Sequence, residues 1–318
     1  MAANTVLFYH HPCLDGSAAA WAASQVLGRE GVEYIGFTHD QEDFLKEKIA
    51  DHVDDGTHVY FCDIIPPRII LDILLDKAQK ITIYDHHVSA QKQLEKIDHP
   101  KCEIVFDMER SGAGLTWDMF HPDKERPFLM NIVEHMDLYQ IDALGDRDEF
   151  FTLAAGLDTI SVEDFFKFSE TFGDLCLAED SYDTVYAWGQ EYREGYMERI
   201  QAVIDRIEYL PLDGVDNMLG HKVGFVHANI YDLGREFWHQ FSLSCPQDPK
   251  ILMLCRPEKN GTMYVSFRSS KNMDVSCVAE EIGSKYGISG GGHKNAAAVR
   301  FTAEQFATLV EKWNLPKS

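Results

Sequence analysis

Short hydrophobic runs alternate with stretches of mixed polarity along the first 145 residues of the chain. Runs typical of buried strands lie at residues 6–9, 58–61, 81–84 and 103–106. Helical patterns lie between and after them, at residues 17–27, 41–52, 69–80 and 111–120. Strands that alternate with helices in this way predict a parallel sheet with helices on both faces.

The pattern changes after about residue 150. Residues 150–210 are mostly helical in character, and residues 184–209 form one long amphipathic candidate. Beyond a turn signal at 213–214, the pattern predicts strands at 221–228, 251–255, 263–267 and 296–301, a helix at 275–286 and a glycine loop at 290–293. The predicted organisation therefore has three parts: a first domain at 1–180, a helical linker at 181–214 and a smaller second domain at 215–318.

The composition is that of an ordinary globular protein and narrows its setting. Of the 318 residues, 45% are hydrophobic and 25% are charged, and no apolar run is long enough to span a membrane. The seven cysteines are scattered, odd in number and form no Cys-x-x-Cys, which favours reduced thiols over disulfides or structural zinc. The first residues lack the basic segment of a signal peptide, so we expect a cytoplasmic protein without a membrane partner.

The charge of the chain is strongly negative and unevenly distributed. A net charge of −23 opposes binding to long duplex DNA. Residues 250–318 carry ten Lys/Arg and six Asp/Glu, a net of +4. This division favours metal binding in the acidic first domain and phosphate binding in the second, although most acidic residues fit an ordinary solvated surface.

Metal-binding side chains follow three of the predicted strands. His10 and Asp15 follow the first, Asp63 follows the second, and Asp85-His86-His87 follows the third. In an open α/β sheet these carboxyl ends share one crevice, where ligands bind. A single Asp at a strand end is usually a turn or a helix cap, but three such ends in one domain favour a metal site.

The ligand types favour a pair of divalent cations. Two close cations need a bridging carboxylate with ligands on each side, and Asp63 suits the bridge. Asp137 supplies a further candidate carboxylate. Mixed carboxylate and imidazole ligands favour Mn²⁺, with Mg²⁺ as the alternative. His10 and His11 compete for one imidazole position, and we favour His10 because it directly follows the strand.

These motifs resemble the DHH phosphoesterases. Asp85-His86-His87 matches their signature, and the segments around His10, Asp63 and Asp137 resemble the other metal motifs in the same order. Residues 266–269, Ser-Phe-Arg-Ser, followed by Gly-Gly-Gly-His at 290–293, resemble the DHH-associated C-terminal domain. The resemblance implies a parallel-sheet DHH domain, a helical linker and a smaller C-terminal α/β domain with a mixed sheet.

The resemblance also implies roles for individual residues. His87 would face the scissile phosphate, with Asp85 and Asp63 in the same catalytic group. The implied metal ligands are His10 and Asp63 for one ion, and Asp15, Asp63, His86 and Asp137 for the other. Cys13 stands where many members of the family carry an Asp, so Cys13 either binds the first ion or leaves it loosely held.

The second domain is expected to bind the terminal phosphate of the substrate. Glycines permit close approach of backbone amides to an anion, and an arginine can hold a phosphate through two hydrogen bonds. The predicted substrate-binding residues are Arg268, Ser269, Gly290, Gly291, Gly292 and His293.

The function implied by the resemblance is metal-dependent hydrolysis of short linear nucleotides, above all 5′-phosphorylated diribonucleotides. Exopolyphosphatase, pyrophosphatase or single-strand exonuclease activity is an alternative, although a processive exonuclease favours a basic, aromatic-lined channel. A non-catalytic nucleotide-binding regulatory module is a further alternative. The expected partner is a short RNA or dinucleotide, and a homodimer is compatible with the sequence.

Overall fold

A computed structural model of the chain describes residues 5–38, 41–227, 236–258, 260–270, 273–288 and 290–315. The chain divides into two compact units, residues 1–193 and 194–318. The division falls within a long helix, and the domain boundaries expected from the sequence remain a prediction. Among the described residues, no helix combines the length and the apolarity needed to cross a bilayer.

The first unit is built on a five-stranded sheet. Its strands are β1 (Thr5–His10), β2 (Val32–Phe37), β3 (His58–Cys62), β4 (Lys80–Asp85) and β5 (Cys102–Phe106). Its helices are α1 (Leu14–Leu27), α2 (Glu42–His52), α3 (Arg68–Lys77), α4 (Val88–Leu94), α5 (Gly112–Phe120), α6 (Phe128–Asp137), α7 (Arg147–Asp158), α8 (Phe165–Leu177) and α9 (Ser181–Ile204), the last of which continues into the second unit.

All strand pairs of this sheet are parallel, in the order β2-β1-β3-β4-β5. Successive side chains of β1 point to opposite faces of the sheet, so this strand contributes to a core on each face. Leu7 and Tyr9 pack with α1 and with α5 to α8, whereas Val6 and Phe8 pack with α2, α3 and α4. Burial on both faces explains why the strands appear in the sequence as nearly continuous apolar runs.

The second unit contains a six-stranded mixed sheet. Its strands are β6 (Glu208–Pro211), β7 (Lys222–His227), β8 (Ile251–Pro257), β9 (Thr262–Ser269), β10 (Gly290–His293) and β11 (Ala296–Thr302), and its helices after α9 are a 3₁₀ turn (Asp216–Met218), α10 (Glu236–Ser244), α11 (Val275–Tyr286) and α12 (Ala303–Lys312). The order is β10-β11-β9-β8-β7-β6, and only the β7–β8 pair is parallel. Helices α11 and α12 cover one face, whereas α10 and the end of α9 cover the other.

The structure confirms the predicted fold class and corrects several elements. The glycine loop expected at 290–293 is strand β10, because its backbone pairs with β11 along the edge of the sheet. The helix expected at 69–80 ends at Lys77, since Lys80 already belongs to β4. The helix expected at 184–209 ends at Ile204, because residues 208–211 pair with β7 instead.

Candidate metal centre

The candidate metal centre lies at the carboxyl ends of β1, β3 and β4. The chain leaves β1 toward β2 on one side and later adds β3 on the other, so the strand order reverses between β1 and β3. At such a reversal the connections diverge and open a crevice at the strand ends. His10 ends β1, Asp63 follows β3, and Asp85 ends β4.

Asp63 lies at the centre of the cluster, and its two carboxylate oxygens face different partners. Oδ2 lies 3.2 Å from His10 Nδ1, and Oδ1 lies 3.1 Å from His86 Nε2. The side chain is almost fully buried. Asp63 therefore presents one oxygen to each of two ligand groups, as a bridging carboxylate must.

The backbone at Asp63 is adapted to this position. Its φ is +64°, a left-handed conformation that non-glycine residues rarely adopt, and its amide donates to the Tyr84 carbonyl at 2.9 Å. A Cβ on Gly112, at the start of α5, would lie 2.4 Å from the Asp63 Cβ. Glycine at position 112 therefore allows α5 to approach the carboxylate closely.

Asp15, His86 and Asp137 form one group of candidate ligands, with one ligand atom from each within 4.8 Å of the others. His86 Nε2 lies 3.4 Å from Asp137 Oδ2 and 4.0 Å from Asp15 Oδ2. Backbone amides at the start of α5 hold the Asp15 carboxylate: Gly112 donates at 2.7 Å and Ala113 at 3.2 Å. The helix start thus fixes the orientation of a residue nearly 100 positions away in the chain.

His10, Cys13 and Asp63 form a second group of candidate ligands within 4.8 Å. Cys13 therefore lies where a soft ligand could reach an ion shared with Asp63. His11, the alternative to His10, instead packs edge-on against Tyr9, with its Nδ1 buried and without a hydrogen-bond partner among the described residues. The structure brings His10 to the cluster and places the ring of His11 elsewhere.

Asp85 positions His87 beside the cluster. The buried Asp85 carboxylate accepts from the His87 amide at 2.7 Å and lies 3.1 Å from His87 Nδ1. His87 Nδ1 is also 3.9 Å from Asp63, and His87, Asp63 and His86 form a third group by distance. While Nδ1 donates to Asp85, it cannot also bind an ion. With Nδ1 donating to Asp85, the Nε2 atom of His87 is available to a substrate.

The electrostatics of the cluster suit added positive charge. Burial and the neighbouring carboxylates of Asp63 and Asp137 raise the pKa of Asp15 well above its usual range. Burial alone would raise the pKa of Asp63, but hydrogen bonds with His10 and His86 hold it well below that range. Burial alone would lower the pKa of His87, but the hydrogen bond with Asp85 outweighs this effect, and the pKa is raised to about 9. Crowded buried carboxylates with imidazoles among them are a donor set that fits divalent cations.

A small cavity opens beside this cluster. Its volume is about 340 Å³, at the lower end of small-molecule sites. Asp85 and His87 form its polar side, and its remaining lining is Ile65, Pro66, Pro67, Ala90 and Gln93. A substrate group that reaches His87 has room on this side of the cluster.

The residues predicted to bind phosphate lie in the second unit. Arg268, Ala296 and His293 pair in one row across β9, β11 and β10. The side chain of His293 lies outside the described part of the structure. Ser269 is buried, and its hydroxyl donates to the Met273 carbonyl at 2.7 Å, so it serves the fold of this segment.

Glu134, which lies on α6 one turn before Asp137, was not among the residues predicted from the sequence. Its Oε2 accepts from the Ser111 amide at 3.1 Å and from Arg110 Nε at 3.0 Å, and its Oε1 accepts from Arg126 Nη1 at 2.7 Å. The sequence contains only an indirect indication of this contact. Ser111 followed by Gly112 is typical of a helix N-cap at which another segment can approach the backbone closely.

Comparisons with known proteins identify the family of one domain and show similarity of fold. The DHHA1 domain family matches residues 245–314. An uncharacterized protein, R106, of Acanthamoeba polyphaga mimivirus is 28% identical over 96% of this chain and 70% of its own length. A solved structure described as a DHH-domain member of the s1p family of ribosomal proteins is 16% identical, with a TM-score of 0.66 over 98% of this chain and 85% of its own. The pGpG-specific phosphodiesterase PggH from Vibrio cholerae is also 16% identical, with a TM-score of 0.50 over 98% of this chain and 96% of its own. At this identity the likeness to the solved structures is one of fold.

Proposed function

We propose that the chain is a DHH-family phosphoesterase and that it hydrolyses the phosphodiester of short linear nucleotides, above all 5′-phosphorylated diribonucleotides. The match of residues 245–314 to the DHHA1 domain family supports this proposal. The single observation that carries the proposal is the placement of Asp63. It faces His10 with one oxygen and His86 with the other, while Asp15 and Asp137 stand on the His86 side. Titratable side chains that converge from separate segments and have strongly shifted pKa values are typical of a functional site.

We assign two Mn²⁺ ions to the cluster, with Mg²⁺ as the alternative. His10, Cys13 and Asp63 would hold one ion, and Asp15, Asp63, His86 and Asp137 the other. Bound there, the ions would acidify a water molecule and neutralise charge on the phosphoryl oxygens.

The chain's own residues supply orientation and charge. Asp85 holds the His87 ring through Nδ1, so that Nε2 faces outward and can donate to a phosphoryl oxygen. The hydrogen bond with Asp85 favours the protonated form of His87, and a protonated ring would stabilise the negative charge that develops on the phosphoryl oxygens in the transition state. In the proposed reaction a water molecule is the nucleophile, so no side chain has to form a covalent bond with the phosphorus.

The preference for short substrates rests on charge and on the second unit. Residues 250–318 carry a net charge of +4, which leaves −27 on the rest of the chain. A long polyanion meets more of this repulsion than a dinucleotide does. We assign recognition of the terminal phosphate to Arg268 and the backbone of Gly290, Gly291 and Gly292, in a unit that belongs to the DHHA1 family. The pGpG specificity of the Vibrio protein is compatible with this substrate class.

The test is turnover of a substrate panel with Mn²⁺ present. The panel contains a 5′-phosphorylated diribonucleotide, the same dinucleotide without its 5′-phosphate, a 20-nucleotide strand and inorganic polyphosphate. We expect the first to be cleaved with the highest kcat/KM. Comparable rates on the 20-nucleotide strand would refute the preference for short substrates, and preferential cleavage of polyphosphate would favour the exopolyphosphatase alternative.

Variants distinguish an enzyme from a non-catalytic binding module. Asp63→Ala should lose at least about 10³-fold in kcat, because both candidate ion sites share this carboxylate. The matched control Asp55→Asn changes an exposed carboxylate before β3 and should keep the wild-type rate. Tight dinucleotide binding by the wild-type chain without any turnover would identify a regulatory module instead. Arg268→Ala should raise KM for the 5′-phosphorylated substrate and leave KM for the unphosphorylated one unchanged.

A further inference from the structure

The buried Glu134 carboxylate lies where two helices that serve the metal centre meet. Its Oε2 accepts from the amide of Ser111, the residue that caps α5. The next two amides of that helix start, Gly112 and Ala113, hold the Asp15 carboxylate. Glu134 thereby fixes the segment that orients one candidate ligand.

The same residue is joined rigidly to a second candidate ligand. Asp137 lies three residues after Glu134 on α6, so the two side chains project from one face of the helix. Asp137 Oδ2 lies 3.4 Å from His86. A displacement of α6 relative to α5 would therefore separate Asp137 from Asp15.

The space around Glu134 allows little adjustment. A Cβ on Gly114 would lie 1.9 Å from Glu134 Oε2, so only glycine permits the helices to meet at this distance. Arg110 and Arg126 neutralise the buried charge, and both also pair with Asp118. The four side chains form a closed network in which Glu134 alone also binds the Ser111 amide of α5.

We propose that Glu134 is a positioning residue that holds α5 and α6 together and so sets the distance between Asp15 and Asp137. This inference rests on the proposed metal centre. It concerns chiefly one ion, because Asp15 and Asp137 belong to the group with His86, whereas the other group adds His10 and Cys13 to the shared Asp63.

The experiment is Mn²⁺ titration of the full-length protein, followed by the electron paramagnetic resonance signal of free Mn²⁺. Glu134→Gln keeps the shape of the side chain but opposes an amide NH₂ to an arginine. We expect one of two Mn²⁺ ions to bind about 10- to 100-fold more weakly and the other to keep its affinity, in the range found for residues that orient metal ligands. Glu134→Asp keeps the charge but shortens the side chain by one methylene. It replaces Glu134→Gln in the experiment if that variant does not fold, and it should show the same selective loss of affinity for one ion.

Asp118→Asn is the matched control. It removes charge from the same two arginines, but the Asp118 carboxylate accepts no hydrogen bond from the start of α5. It should lower thermal stability and leave both Mn²⁺ affinities within twofold of wild type. Unchanged Mn²⁺ affinities in a folded Glu134 variant, or an equal loss in Asp118→Asn, would overturn the positioning role alone. A wild-type chain that binds no Mn²⁺ would overturn the proposed metal centre and this inference together.

Discussion

His10 and His11 are adjacent in the sequence but occupy different surroundings. The strand β1 ends at His10, whose ring meets Asp63 at 3.2 Å. The backbone then turns, and the ring of His11 packs against Tyr9. The sequence favoured His10 only by its position after the strand, whereas the packing of the two rings separates them clearly.

This difference gives a prediction for the two histidines. His10→Ala should weaken the binding of one Mn²⁺ ion by at least about 10-fold and lower kcat, because it removes a direct ligand of the proposed site. His11→Ala is the neighbouring control and should keep both affinities within twofold. Mn²⁺ titration and dinucleotide turnover, on samples with wild-type circular dichroism, provide the measurement. A greater loss of Mn²⁺ affinity in His11→Ala would reverse the assignment.

Single residues also show where inference from the sequence ends. Most candidate ligands could be proposed because they follow an apolar run typical of a strand, and Asp137, at the end of α6, is the exception. Glu134 follows no such run, and its partner amide at Ser111 is 23 residues away along the chain. Only the packing of α5 on α6 brings them together, so no local pattern could have indicated the contact.

At the scale of elements, the inner strands of both sheets were predictable, whereas of the four edge strands only β5 was predicted. The runs that became β1, β3 and β4 lie inside the sheet, where each position contacts a helix on one face or the other. Strand β2, an edge strand with a polar Glu33 and a Gly36 within six residues, was not predicted. Residues 290–293 were predicted to form a loop, because glycine has little intrinsic preference for strands and β10 forms only through pairing with β11.

Strand β3 carries a titratable residue whose effect on stability can be predicted. His58 pairs with Lys80 across the β3–β4 ladder, stacks on Tyr60 and lies 2.9 Å from Thr82 Oγ1. Burial and the charge of Lys80 lower the pKa of His58 to about 4, and Glu103 opposes this in part. In the unfolded chain a histidine has a pKa of about 6.5. The unfolded state therefore takes up the proton first as the pH falls.

The stability that neutral His58 contributes is consequently present above about pH 6.5 and is lost as the pH falls toward 4. His58→Gln keeps a group that can hydrogen-bond Thr82 but does not titrate. The wild-type advantage in free energy of unfolding should shrink by about 1 kcal/mol between pH 7.5 and pH 4.5, since the ring is only half buried. Urea unfolding of both proteins at these two pH values measures it. A constant difference between them would contradict the prediction.

At the scale of the whole molecule, the chain builds its cores separately. The two cores that flank the parallel sheet contain only residues of the first unit, and the two that flank the mixed sheet contain only residues of the second. This separation follows from the sequence pattern, in which alternating strands and helices give way to a mostly helical stretch and then to a second group of strands. Units with their own cores can unfold in separate steps.

Two buried leucines test this independence. Leu74 on α3 and Leu309 on α12 are both fully buried, one in each unit, and neither belongs to the proposed site. Truncation of such a leucine to alanine costs about 2–5 kcal/mol, which corresponds to a shift in Tm of roughly 4–20 °C for the larger first unit and somewhat more for the smaller second unit. In calorimetry of the full chain we expect two transitions. Leu74→Ala should lower the Tm of the first unit alone, and Leu309→Ala should lower the Tm of the second unit alone.

Because the proposed ligands all belong to the first unit, Leu309→Ala should also retain Mn²⁺ binding at temperatures where the second unit has unfolded. One shared transition that both variants lower equally would show that the cores unfold as a single cooperative body.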